Sequence, residues 1–171
     1  MFCNNFFECN QWMTFLASFY YRNMGMTFQE NLMKLLMKLG VKGVHTLVHL
    51  ANGCRSLQTL SLKRCSFSDK SVAVFISASG NCLSDLSLNN VKEVTNHTIL
   101  AHVSNTQETL LRLDVSWCHN LTDEALGLLV DSSSLLWELI LFGYNQVTDK
   151  FLEGHSNALL KVIGVNHQLL Q

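Results

Sequence analysis

From Leu57 onward, apolar and polar residues alternate in short bursts that return at a nearly fixed interval. Leu57–Cys65 reads LQTLSLKRC, Leu83–Val91 LSDLSLNNV, Leu110–Cys118 LLRLDVSWC and Leu136–Tyr144 LWELILFGY, each of the form L-x-x-L-x-[L/V]-x-x-[C/V/Y]. The leading leucines recur after 26, 27 and 26 residues, and a degenerate fifth copy, LKVIGVNH, begins at Leu160, 24 residues further on. Period-two alternation marks a half-buried strand, so the inner aliphatic residues of each burst face one way and the residues between them the other. A second landmark follows in register: Phe67-Ser68-Asp69, Val94-Thr95-Asn96, Leu121-Thr122-Asp123 and Val147-Thr148-Asp149. An apolar residue, a hydroxyl and an acid or amide predict a helix start, the hydroxyl capping free N–H groups and the next side chain suiting the positive end of the helix dipole. Behind these caps the apolar spacing turns helical: Val72, Phe75 and Ile76; Ile99, Leu100 and Val103; Leu126, Leu129 and Val130; Phe151 and Leu152.

Each repeat is therefore a strand, a turn and a helix, and its length falls within the roughly 20–29 residues of leucine-rich repeats. One such unit cannot bury its own apolar side, whereas stacked neighbours can. The fold class is α/β, a leucine-rich-repeat solenoid with a curved parallel sheet inside and helices outside. Residues 44–171 form the expected array, with four clear repeats and degenerate ends. Residues 1–43 are expected to be a helical or irregular segment that either caps the array or stays poorly ordered. Within it, Thr27 and Glu30 read as a capping box ahead of a helix over about 28–39, with Gly40 suiting its end. Thr46 to Gly53 reads as the helix of a repeat whose strand has degraded. The ninth position, filled by Cys65, Val91, Cys118 and Tyr144, closes the strand from inside. Cysteine suits it as a small apolar residue with a weak S–H donor for turn carbonyls.

Composition narrows the function. The 171 residues are 48% hydrophobic and 15% charged, with 12 basic against 13 acidic residues and a formal net charge of -1. That is enough apolar material for a core, and no basic footprint for a nucleic-acid backbone. The cysteines Cys3, Cys9, Cys54, Cys65, Cys82 and Cys118 include no CxxC pair. They are read as reduced thiols, which places the chain in the nucleus or cytoplasm. The aromatic N-terminus lacks a basic leader region and is broken by Asn4, Asn5, Glu8, Asn10 and Gln11, so neither a signal peptide nor a membrane span is expected.

The run CRSLQTLSLKRC, followed by LRLDVSWCHNLTDEAL, resembles the cysteine-containing leucine-rich repeats of F-box/LRR proteins. Those proteins are substrate receptors of Skp–cullin–F-box ubiquitin ligases. LANGCRSLQTL, SFSDKSVAVF, SLNNVKEV, DVSWC and FGYNQVTDKFLEGHSN further resemble plant LRR proteins described as similar to a yeast nucleotide-excision-repair factor. The resemblance covers roughly Val44 to Val165. It implies a protein-interaction scaffold, with the substrate-recognition portion of a ubiquitin ligase in ubiquitin-dependent catabolism as the first reading. A subunit of a damage-recognition complex in nucleotide-excision repair is the alternative. The chain has no proline and residues 1–43 show no F-box-like pattern. Skp or cullin components would accordingly be recruited through a missing upstream segment, the chain being a truncated isoform or a partial product.

The residues between the inward leucines define the expected docking stripe on the concave face. They are Thr59, Ser61 and Lys63; Asp85, Ser87 and Asn89; Arg112, Asp114 and Ser116; Glu138, Ile140 and Phe142, with Arg64, Trp117 and Gly143 at the strand ends. Lys63, Arg64, Asp85, Asn89, Arg112, Asp114, Trp117, Glu138, Ile140 and Phe142 are the candidate contacts for a protein partner, and the apolar Ile140 and Phe142 beside charge resemble an interface hot spot. Asp85 and Asp114 are read as equivalent positions of neighbouring strands. On an open face they serve a partner rather than acid–base chemistry, and Asp114 is expected to matter for binding and not for folding. His45 and His49 stand four apart on a predicted helix without the further ligands of a metal site. Cys118 points inward, away from a catalytic pairing with His119. With no G-x-S-x-G elbow and no glycine-rich phosphate loop, no catalytic, metal or cofactor-binding residue is assigned, no direct contact with nucleic acid or membrane is expected, and the chain is read as a non-catalytic binding module.

Overall fold

The computed structural model describes residue 47 and residues 58–79, 82–105, 109–144 and 147–165. Strands and helices alternate through them. β1 is Thr59–Ser61, α1 Asp69–Ser79, β2 Asp85–Ser87, α2 Asn96–Asn105, β3 Arg112–Asp114, α3 Asp123–Ser132, β4 Glu138–Ile140, α4 Asp149–Gly154 and β5 Lys161–Ile163. The five strands form one parallel sheet in chain order, the arrangement expected of the solenoid. The helix over 28–39, the capping box at Thr27 and the pair His45 and His49 lie outside the described residues. Leu47, the single described residue of the expected Thr46–Gly53 helix, is helical and fully buried. Among the described residues no helix is long and apolar enough to cross a membrane.

The register places Leu60 opposite Leu86, Leu86 opposite Leu113, and Leu113 opposite Leu139. These four are 1%, 3%, 0% and 0% exposed, one continuous interior column. Leu62, Leu88, Val115 and Leu141 form a second column, fully buried. At about 2 kcal/mol for each aliphatic side chain removed from water, these columns are the main reason the rungs stack. The strands are only three residues long, but their hydrogen bonding runs on into the turns: Leu62 N–H donates to Ser87 O and Leu88 N–H to Asp114 O, both at 2.8 Å.

Each turn then closes on itself. The N–H groups of Cys65, Val91, Cys118 and Tyr144 donate to the carbonyls of Leu62, Leu88, Val115 and Leu141. The residue before the closing one is left-handed in every copy: Arg64 at φ 58°, Asn90 at 57°, Trp117 at 62° and Gly143 at 70°. Asparagine and glycine take that conformation readily, whereas arginine and tryptophan hold it at a cost of roughly 1 kcal/mol. Cys118 plays the part expected of it, its thiol donating to Leu88 O at 3.2 Å. Tyr144 does the same with a longer reach, its hydroxyl donating to Leu121 O.

The helices begin where the hydroxyl–acid pairs predict, at Asp69, Asn96, Asp123 and Asp149. Thr122 Oγ1 accepts from Ala125 N–H at 3.4 Å, and Ser68 Oγ accepts from Ser71 N–H at 3.3 Å; Thr148 makes no such side-chain bond. The acid or amide that follows does more than sit at the dipole. Asp69 Oδ1 accepts the Thr95 N–H at 2.7 Å, Asn96 Oδ1 the Thr122 N–H at 3.0 Å, and Asp123 Oδ2 the Thr148 N–H at 2.8 Å. The first residues of α1, α2 and α3 thus each staple their repeat to the cap of the next.

The fifth copy departs from its alignment. Aligning Leu160 with Leu136 sets Val162 opposite Glu138, yet Val162 pairs with Leu139 and Lys161 with Glu138. Leu160 N–H does bond to Asn157 O as Leu136 N–H bonds to Ser133 O. One residue is therefore missing between the leading leucine and β5.

Candidate functional site on the concave face

Alternate residues of the five strands face away from the core and form two rows across the sheet. The first runs Thr59, Asp85, Arg112, Glu138, Lys161, with charge alternating from Asp85 onward. Arg112 links its two neighbours: Nε and Nη2 each lie 2.7 Å from Glu138 Oε1, and Nη1 is 3.7 Å from Asp85 Oδ1. Glu138 is only 7% exposed. It is a buried counter-ion that orients Arg112 rather than a docking residue open to a partner, as the sequence had suggested. The reason is its position between a guanidinium and the bulk of the fourth repeat. The register also corrects the pairing of the aspartates. Asp85 stands opposite Arg112, and Asp114 opposite Ser87, two positions along the strand.

The second row runs Ser61, Ser87, Asp114, Ile140, Ile163. Asp114 is held by three neutral donors. Ser87 Oγ donates to Oδ2 at 3.2 Å, Asn89 Nδ2 to Oδ2 at 3.3 Å, and the Ser116 N–H to Oδ1 at 3.0 Å. The last of these helps shape the turn after β3, so Asp114 has a structural share that the sequence reading withheld from it. No described cation pairs with it. Asn89 faces the stripe as expected, but its amide is engaged by Asp114. Thr59, Ser61, Lys63, Asp85, Ser87, Arg112, Asp114 and Ile140 surround a depression of about 380 Å³.

Beyond the second row the stripe divides. Lys63 and Arg64 are exposed. Ser116 is fully buried, contrary to expectation, because its hydroxyl accepts the Phe142 N–H at 3.1 Å and faces Ile140 O at 3.5 Å, bridging to the next rung. Trp117 and Phe142 are each 49% exposed. Both rings rest on the glycine of the following rung, Trp117 on Gly143 and Phe142 on Gly164, where a Cβ would collide with them. His119 meets Trp117 edge-on, with ring centroids 6.2 Å apart. The apolar end therefore comprises Ile140, Phe142 and Trp117, supported from below.

Several surface residues escaped the sequence reading. Lys161 and Ile163 extend the two rows, and only the register of β5 reveals them. Leu111, Leu135 and Trp137 are exposed at the entry to β3 and β4, flanking the leading leucines. Their signal was available: in the first two repeats the residue after the leading leucine is Gln58 or Ser84, in the next two Leu111 or Trp137.

The titratable groups inside the fold are structural. Burial pushes the Cys118 thiol up to about 11, despite hydrogen bonding that favours the thiolate, a shift that favours the protonated thiol near neutral pH. Burial likewise raises the Tyr144 hydroxyl and lowers His102 to about 4. At Asp69 burial works to raise the carboxyl, but hydrogen bonds from Thr98 and Thr95 and the charge of His97 outweigh it and hold the group below its ordinary value.

Residues 106–130, spanning β3 and most of α3, match the family model "Leucine Rich repeat". A 92-residue stretch is 35% identical to the DNA repair protein rhp7 of Schizosaccharomyces pombe, covering 53% of this chain and 16% of that protein. Among solved structures, one described as the crystal structure of the Rad7 and Elc1 complex in yeast aligns at a TM-score of 0.46 and 20% identity, over 67% of this chain and 34% of that one. The chain spans 16% of the length of the curated relative it matches. It carries leucine-rich repeats, folds as a leucine-rich-repeat solenoid, and is related in sequence to a DNA repair protein.

Proposed function

We propose that the chain is the protein-docking repeat portion of a DNA-repair factor, acting in the nucleus and contacting its partner through the concave face. The observation that carries the reading is the 35% identity to a DNA repair protein in a chain whose sheet displays a pre-oriented polar depression next to exposed aromatic residues. The ligase-receptor reading draws only on the repeat motif, so the repair reading is the better supported. The formal net charge of -1 gives no phosphate-binding surface, and damage is therefore met through a protein partner rather than by direct contact with DNA. Residues 44–171 supply the array in this reading.

A photo-crosslinking amino acid in place of Phe142, introduced into the full chain in its own cells after DNA damage, tests it. The expected products are crosslinks to proteins of a repair complex, absent when the same group replaces Ser134. Crosslinks to a cullin adaptor, or none to any repair protein, would overturn the reading.

A further inference from the structure

Two charges sit in the centre of the concave depression, and they are not equivalent. Arg112 lies between Asp85 and Glu138 with both carboxylates within ion-pair distance. Asp114 is oriented by a serine hydroxyl, an amide and a backbone N–H, all neutral, and no described cation offsets it. Its carboxylate is aimed and hydrogen-bonded by neutral donors alone, and it lines the depression, where a charge-assisted hydrogen bond to a partner's cation would be among the stronger contacts. Directly across the sheet from it stands Ile140, and Phe142 is exposed two residues further along.

From this we infer the partner's chemistry, building on the reading of the concave face as a protein-docking surface. The face takes an extended segment that sets a lysine or arginine on Asp114 and a bulky apolar side chain on Ile140 and Phe142. Neighbouring strands are about 4.8 Å apart and an extended chain advances about 3.3 Å per residue. The basic and apolar residues of the partner therefore stand one or two positions apart.

The test is selection of a phage-displayed random peptide library on the full chain, followed by fluorescence polarisation with the enriched peptides. Enriched sequences should share Lys or Arg within two residues of Phe, Trp, Leu or Ile. Asp114→Asn keeps an acceptor for the Ser116 N–H and should weaken these peptides at least tenfold while the chain still melts as a folded protein. Asp114→Lys, checked for folding by circular dichroism, should reselect Asp or Glu beside the same apolar residue, while Ser134→Lys on an exposed loop should change nothing. Failure to enrich a basic–apolar pair, or equal affinity for wild type and Asp114→Asn, would overturn the inference. Crosslinks from Phe142 to repair proteins alongside that result would leave the docking function standing and remove only the partner chemistry.

Discussion

Leu60, Leu86, Leu113 and Leu139 are chain neighbours of Thr59, Asp85, Arg112 and Glu138, on the same strands and one residue away. The first set is the same residue in the first four rungs and is buried. The second changes at every rung, from hydroxyl to acid to base to acid. Because strand side chains alternate faces, one parity answers to packing against the next repeat and the other to whatever meets the open face. Stacking demands sameness, since each leucine has to fit the one above it. The concave rows carry no such demand, and there the molecule differs from one end to the other: polar around Lys63, apolar around Ile140, Phe142 and Trp117.

The sharpest way to break this division is to damage the constant column. Leu113→Ala leaves a cavity in the middle rung and is expected to cost about 2–5 kcal/mol in denaturant unfolding. A loss too small to measure would mean that this column does not hold the stack. A pH titration reaches the interior by another route. His102 is buried and held neutral, its ordinary value of 6.5 lowered to about 4 by burial. The unfolded chain takes up its proton between those two values and the folded one does not. Stability should therefore be full above pH 6.5 and fall as pH drops toward 4, by at most roughly 3 kcal/mol. His102→Gln should flatten that slope.

Next comes the link between repeats. Asp69→Ala removes the acceptor for Thr95 N–H and for the Thr98 hydroxyl and is expected to cost about 1–3 kcal/mol. On the concave face Asp114→Asn should cost less than about 1 kcal/mol, since an oxygen acceptor for the Ser116 N–H remains. A larger loss would put Asp114 on the packing side of the division. The smallest effect has the opposite sign. Arg64→Gly relieves a left-handed arginine at φ 58° and should raise stability by about 0.5–1 kcal/mol in thermal melts.

The interior was legible in the sequence because its rule is local. L-x-x-L-x-L states its own period, and Ser68-Asp69 or Thr122-Asp123 states a helix start. What stayed hidden depends on register between segments 26 or 27 residues apart. Asp85 lies before the interior leucine of its burst and Asp114 after it, a distinction the aligned repeats already carry and the strand pairing makes explicit, setting Asp85 opposite Arg112 and Asp114 opposite Ser87. Glu138 has the type of a surface residue, and its burial follows from the guanidinium opposite. Ser116 fits the alternating pattern of the stripe, yet its hydroxyl is occupied by the backbone of the next rung. Asp69 was read for its place at the helix dipole. Its reach to Thr95 crosses to another repeat, and no local motif encodes that.

The staples at the first residues of α1, α2 and α3 have a mechanical consequence. They tie neighbouring repeats together outside the sheet, alongside links such as Ser156 to Asp131, while the strand ladder ties them inside. The bow of a stacked array is the difference between its outer and inner spacings, so the length of these clasps bears on how wide the concave mouth stands. Two clasps are carboxylates, Asp69 and Asp123, and one is the amide of Asn96. Lengthening a clasp by one methylene, as in Asp123→Glu, should widen the outer spacing and tighten the arc at that joint alone, turning the solenoid into a spring whose opening is adjusted one coil at a time.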